Sequence, residues 1–143
     1  MFTFIVEGKP KSKLRARVVT NKYTGKVHSY TPESTESYEN LIRWSYKAAG
    51  GEFMGDKLLE VDIKAYYPIP KSSTKKQRIA IERGEVRPKV LPDCDNIIKG
   101  VLDALNGVAY YDDKQVVCVK CNKYYSEKGR IEITLSELRG IAE

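Results

Sequence analysis

From Leu59 to Tyr67 the chain alternates: Leu59, Val61, Ile63, Ala65 and Tyr67 fall on one parity, and Glu60, Asp62, Lys64 and Tyr66 on the other. A period of two puts each set on its own face of a strand, so this segment predicts a β-strand with one buried side. Such a strand is not stable alone; it needs partner strands and a layer of helix or sheet over its apolar face. Pro68 and Pro70 end it, because proline donates no ladder hydrogen bond. Further strands are predicted at residues 2–6, 115–120 and 130–135, with Tyr124 and Tyr125 as an extension of the third. Arg17 to Thr20 and Lys26 to Tyr30 flank a turn at Asn21 to Gly25 and predict a hairpin. Lys128-Gly129 predicts another turn, with the last strand returning beside the one before it.

Helical spacing is expected from Ser34 to Ala49, ended by Gly50-Gly51, with Tyr38, Leu41, Ile42, Trp44, Ser45 and Ala48 facing inward and Trp44 in the core. A serine-capped basic helix is expected over Ser72 to Arg83. A third runs from Asp95 to Leu105, burying Ile97, Ile98, Val101, Leu102 and Leu105, with Asn106-Gly107 at its end. At 143 residues the chain suits one domain, residues 1–143, around a single core. The expected class is α/β, with α+β as the alternative: a small single domain whose mixed sheet is flanked by helices.

Twenty-five Lys and Arg against 19 Asp and Glu leave a formal net charge of +6, which favours an acidic partner. The cations gather in two segments. Lys9, Lys11, Lys13, Arg15 and Arg17, with Lys22 and Lys26 beyond them, form one; Lys71, Lys75, Lys76, Arg78 and Arg83 form the other. Both suit contact with DNA phosphates, and the plainer alternative is a set of solvated lysines. No apolar run is long enough for a bilayer, and Met1 to Val6 leads into Glu7-Gly8 without a signal-peptide layout, so no membrane association and a cytoplasmic location are expected. Three cysteines, Cys94, Cys118 and Cys121, make an odd number that suits a reducing compartment.

Within this basic chain, carboxylates collect around the third helix. Asp93 and Asp95 sit at its start, and Asp112-Asp113 follows it. A return after Gly107 is expected to bring Asp113 back to the helix entrance, where Asp93, Asp95 and Asp113 would hold Mg2+, a hard cation that takes oxygen ligands. Asp95 as a helix cap and Asp93 or Asp112-Asp113 as turn formers are the alternatives. Lys99, one helical turn beyond Asp95, is placed to offset phosphate charge or to make a helix ion pair, and Asp103 extends the same stripe. Asn96 suits either the returning loop or a phosphate. The only histidine, His28, lies in the predicted hairpin, so a metal-activated water replaces a histidine base. Cys118-x-x-Cys121 has the spacing of a zinc or redox pair but no second pair to complete it. Tyr67 should pack inward and Tyr66 outward, while Tyr110-Tyr111 should support the acidic loop.

Three segments, Pro92-Asp93-Cys94-Asp95-Asn96-Ile97-Ile98-Lys99, Asp103-Ala104-Leu105-Asn106-Gly107 and Asp112-Asp113-Lys114-Gln115-Val116, resemble in type and order the RusA family of Holliday-junction resolvases. Gly8 to Lys13, Arg15-x-Arg17 and Tyr30-Thr31-Pro32 are similar to that family's opening segment. The resemblance implies a magnesium-dependent endonuclease that cuts four-way DNA junctions by paired nicks and works as a homodimer. It implies catalytic roles for Asp93, Asp95, Asp113 and Lys99, with the three aspartates on the metal. A noncatalytic nucleic-acid-binding protein and a nuclease acting on flaps or duplex DNA are the competing classes.

Overall fold

A computed structural model describes residues 1–13, 17–30 and 33–141. Its strands are β1 (Phe2–Glu7), β2 (Arg17–Thr20), β3 (Val27–Tyr30), β4 (Leu59–Pro68), β5 (Val116–Ser126) and β6 (Arg130–Glu137). Its helices are α1 (Glu33–Ala48), α2 (Lys75–Glu82) and α3 (Cys94–Leu105), with a 3₁₀ turn at Asp113–Gln115 leading into β5. The class is α+β, with a mixed four-stranded sheet.

The alternating strand is the middle of the molecule. Leu59, Val61, Ile63, Ala65 and Tyr67 are all buried, and the sheet order is β1-β6-β4-β5. β4 pairs antiparallel with β6 and parallel with β5. The expected side-by-side return of the last two strands is therefore corrected: β4 lies between β5 and β6. Its apolar face is buried along its whole length, which a central position with hydrogen-bonded partners on both sides provides. A parallel β4–β5 pair in turn needs a long crossover, and residues 69–115, including α2 and α3, supply it. β2 and β3 form a separate two-stranded hairpin.

α1 and α3 contact each other and contribute buried residues to the same core as the sheet. In α1 the buried positions are Thr35, Tyr38, Ile42, Ser45 and Tyr46. Trp44 is 66% exposed, contrary to expectation, because it stands two residues from Ile42 and points to the opposite side of the helix. Tyr46 takes the core position instead, meeting Phe2 and Phe4 edge-on at 5.3 and 5.2 Å. α2 starts later than expected. Thr74, not Ser72, caps it, in a reciprocal box with Gln77, and no α2 residue is buried.

Candidate active site at the two ends of one helix

The segment leading to α3 is held before the helix begins. Tyr67, facing inward from β4, donates its hydroxyl to Pro92 O at 2.6 Å, following a cis Leu91-Pro92 bond. Lys123 donates its ammonium to Val90 O and lies 5.1 Å from the centre of the Tyr67 ring. Arg87 donates to Lys123 O and to Asn122 Oδ1, both at 2.9 Å, and covers Tyr124. None of these positioning residues except Tyr67 carried a sequence signal, since a loop-to-strand contact has no periodicity.

This frame delivers Asp93 as the N-cap residue of α3, with an extended backbone and no side-chain capping bond. Asp95 lies in the first turn, where the partial positive charge of the helix end favours a carboxylate. The start is thus two residues upstream of the capping position considered for Asp95, and both carboxylates are exposed and uncommitted to capping. Lys99 is exposed on the same side and makes no ion pair among the described residues.

Asp113 is at the other end. Tyr110 donates to Leu102 O at 2.6 Å, which keeps the chain after Gly107 against the last turn of α3 instead of returning it to the entrance. Asp112 caps the 3₁₀ turn by accepting from Lys114 N at 2.9 Å, and Gln115 ties that turn to Gly55 O and Lys57 O. Asp113 turns inward and contacts Asp112 and Asp103. Burial and these two carboxylates push its pKa above the ordinary value, whereas the Lys114 amide and the Asp113 carboxyl lower that of Asp112. The two adjacent acids are thus shifted in opposite directions, as like charges close together require. Asp95 and Asp103 are eight residues apart on α3, about 12 Å along its axis. Among the described residues no three His, Cys, Asp or Glu side chains are gathered to hold one metal ion. The described residues place Asp93 and Asp95 at the start of α3 and, separately, Asp113 beside Asp103 at its end.

Asp103 also receives Lys13, whose Nζ is 2.8 Å from Asp103 Oδ2 and 2.6 Å from Glu39 Oε1. Lys13 was expected at DNA phosphates; its ammonium is instead directed into the protein. Asn96 clamps the same residue, accepting from Lys13 N at 2.6 Å and donating to Lys13 O at 2.9 Å. Of its two expected roles, Asn96 takes the one of holding a loop. Glu39, with no motif to mark it, is the residue missed here.

The basic segments do meet. Lys9 from the first and Lys71 and Arg78 from the second line one groove of about 600 Å³, beside Tyr67 and Leu91. Lys11, Lys75 and Lys76 are exposed. Arg15, Thr31, Pro32 and the side chain of Arg17 lie outside the described residues. The Cys118 and Cys121 spacing does not make a pair, because the β4 register sets Cys118 beside Glu60 and Cys121 beside Ile63, on opposite faces. Cys121 instead neighbours Cys94, and burial first, then Cys94, pushes its pKa up to about 12. No helix among the described residues is long and apolar enough to cross a membrane.

Comparison with known proteins bears on this arrangement. The sequence profile described as Endodeoxyribonuclease RusA matches residues 7–136. The chain is 35% identical to the uncharacterized protein YqaN of Bacillus subtilis (strain 168), over 94% of its own length and 90% of that protein. It is 42% identical to the crossover junction endodeoxyribonuclease rusA of Lactococcus phage r1t over 48 residues, covering 33% of this chain and 37% of that one. The matched span takes in both ends of α3, the frame that delivers Asp93 and the turn that holds Asp113, so this chain belongs to the RusA endodeoxyribonuclease family.

Proposed function

We propose that this endodeoxyribonuclease is a structure-selective resolvase that hydrolyses phosphodiesters of four-way DNA junctions with Mg2+ and acts as a homodimer making paired nicks. The observation that carries the reading is the pair Asp93 and Asp95, exposed and free of capping bonds at a helix N-terminus, close to a groove lined by Lys9, Lys71 and Arg78. A polyanionic substrate suits such cations, and its cleavage develops further negative charge.

The donor chemistry fits a hard divalent cation: the candidate ligands are all carboxylates, and Asp113 stands against Asp112 and Asp103, a concentration of negative charge that a cation would offset. Asp93, Asp95 and Asp113 are the residues that would hold it, and in the isolated chain they stand as two sets, Asp93 and Asp95 at the start of α3 and Asp113 beside Asp103. Bound magnesium supplies Lewis acidity and a water of lowered pKa. Lys99, exposed and without an ion pair among the described residues, offsets charge on the scissile phosphate. Lys9, Lys11, Lys71, Lys75, Lys76 and Arg78, together with Arg15 and Arg17, position the DNA backbone without reading its sequence. No histidine is required: His28 is exposed on β3. The product keeps a 5′ phosphate.

Support for the homodimer is an exposed apolar surface beside Asp112. Phe53 packs edge-on against Tyr111 at 4.9 Å, and Tyr111, Val117 and Ile141 are all more than half exposed. A contiguous apolar surface of this kind next to a functional turn suits a second copy of the chain. The reading places the enzyme in the cytoplasm with its DNA.

The test is a nicking assay on strand-labelled four-way junctions, flaps and linear duplex, with and without magnesium. Symmetric incisions of the junction that need the metal are expected. Equal cutting of duplex would remove the structure selectivity, and tight binding without any cutting would favour a noncatalytic DNA-binding role.

A further inference from the structure

The groove beside the Asp93 segment is built unlike a surface that only follows a DNA backbone. Lys9, Lys71 and Arg78 supply its charge, but its walls include Leu91, 73% exposed, Val90, 53% exposed, and Tyr125. Its volume of about 600 Å³ lies within the roughly 300–1,000 Å³ of ligand pockets. Arg78 reaches across toward Glu127 at 3.7 Å, bringing α2 to the turn between β5 and β6. The Val90-Leu91 wall is fixed, since Val90 O accepts from Lys123 and the next carbonyl but one, that of Pro92, accepts from Tyr67.

A paired duplex arm presents sugars and phosphates to a protein surface, which the three cations alone would satisfy. Two exposed aliphatic side chains and a tyrosine add nothing to that contact. They suit the flat apolar face of a base that has left its stack, and the cations suit the phosphates on either side of it. A four-way junction offers such bases at its branch point, where stacking is already interrupted. The wall also leads directly into Asp93, two residues beyond Leu91.

We propose that this groove receives one unstacked nucleotide of the DNA substrate, base against Leu91, Val90 and Tyr125 and flanking phosphates on Lys9, Lys71 and Arg78, and so sets which phosphodiester meets the carboxylates. This inference rests on the resolvase reading for its substrate and adds a pocket to it. A pre-fixed wall lets the base be captured without ordering the loop, which keeps the cost of binding low.

The experiment measures, without divalent metal, the affinity of the full chain for four-way junctions in which each nucleotide near the branch point is replaced in turn by an abasic residue. One position is expected to weaken binding about tenfold when its base is removed, the size of one lost base-stacking contact. In Leu91→Ala that penalty should shrink towards none, while binding of the unmodified junction weakens. Leu91 is largely exposed, so the variant should fold, and its circular dichroism spectrum and melting temperature check this. A flat abasic profile, or a full penalty retained in Leu91→Ala, would overturn the pocket. Nicking of the unmodified junction with magnesium separates the two claims. Nicking with a flat profile removes the pocket and leaves the resolvase; a position-specific penalty without nicking keeps the pocket and removes the hydrolysis; neither binding nor nicking removes both.

Discussion

Lys13 Nζ lies 2.8 Å from Asp103 Oδ2, joining the basic N-terminal segment to the acidic end of α3. The same ammonium meets Glu39, so one lysine holds carboxylates from α1 and α3 together, and the Asn96 side chain fixes its backbone from both sides. These groups are mostly shielded from solvent, which makes the loss of one partner costly for those left behind.

Replacing Lys13 with methionine should destabilise the protein by about 1–3 kcal/mol, because Asp103 would keep its charge without this partner while Glu39 would retain only Arg43, at 3.3 Å. Asn96→Ala should cost a similar amount, about 1–3 kcal/mol, through two lost hydrogen bonds and an unsatisfied Lys13 backbone. Urea titration measures both. An unchanged midpoint for Lys13→Met would show that the ion pairs add no net stability.

Asp95→Asn should preserve the melting temperature and junction binding while abolishing magnesium-dependent nicking, because the amide keeps the size of the carboxylate and removes its charge. Asp93→Asn should do the same, since its side chain makes no capping bond whose loss would weaken α3. The readout is single-turnover cleavage with binding measured in parallel. Full turnover by either variant would remove that residue from the metal set.

Two glycines should respond in opposite ways. A Cβ at Gly100 would stand 3.8 Å from Lys13 Cβ, an ordinary contact, so Gly100→Ala should stabilise α3 by up to about 1 kcal/mol through helix propensity. A Cβ at Gly129 would stand 2.7 Å from Lys9 Cα, and backbone cannot move aside as a side chain can. Gly129→Ala should cost about 1–3 kcal/mol. It should also displace Gly8-Lys9, whose amide at Gly8 donates to Gly129 O at 3.1 Å. Thermal melts of the two variants give the comparison.

Stability should fall on the alkaline side from about pH 10. Burial raises the pKa of Tyr38 to about 12 and moves Tyr46, Tyr67 and Tyr110 upward from the ordinary 10.0. The unfolded chain then loses these protons first, so the native state is favoured below pH 10 and progressively less as pH rises above it. Lys13 acts in the same sense: burial lowers its pKa, but Asp103 and Glu39 together outweigh that and leave it above 10.5. Its contribution is full below 10.5 and is lost as pH rises through its native value. Denaturation midpoints from pH 7 to 12 test this; a flat profile above pH 10 would contradict the burial of these phenols.

What the sequence determined by itself was local. The alternation from Leu59 to Tyr67 specified the central strand and its buried face, and the spacing of Ile97, Val101 and Leu105 specified α3. The order of motifs around α3 marked the family, because residue type and spacing are sequence properties. Tertiary structure decided what depends on long-range contacts. It placed β4 between β5 and β6, turned Trp44 outward, and kept Asp113 beside Asp103 through the Tyr110 bond to Leu102. It also turned Lys13 inward and brought Lys9 to Lys71 and Arg78. A period fixes which face a side chain takes on its own element, but not which distant element covers that face, since that is settled by the packing and charge pairing of the whole chain.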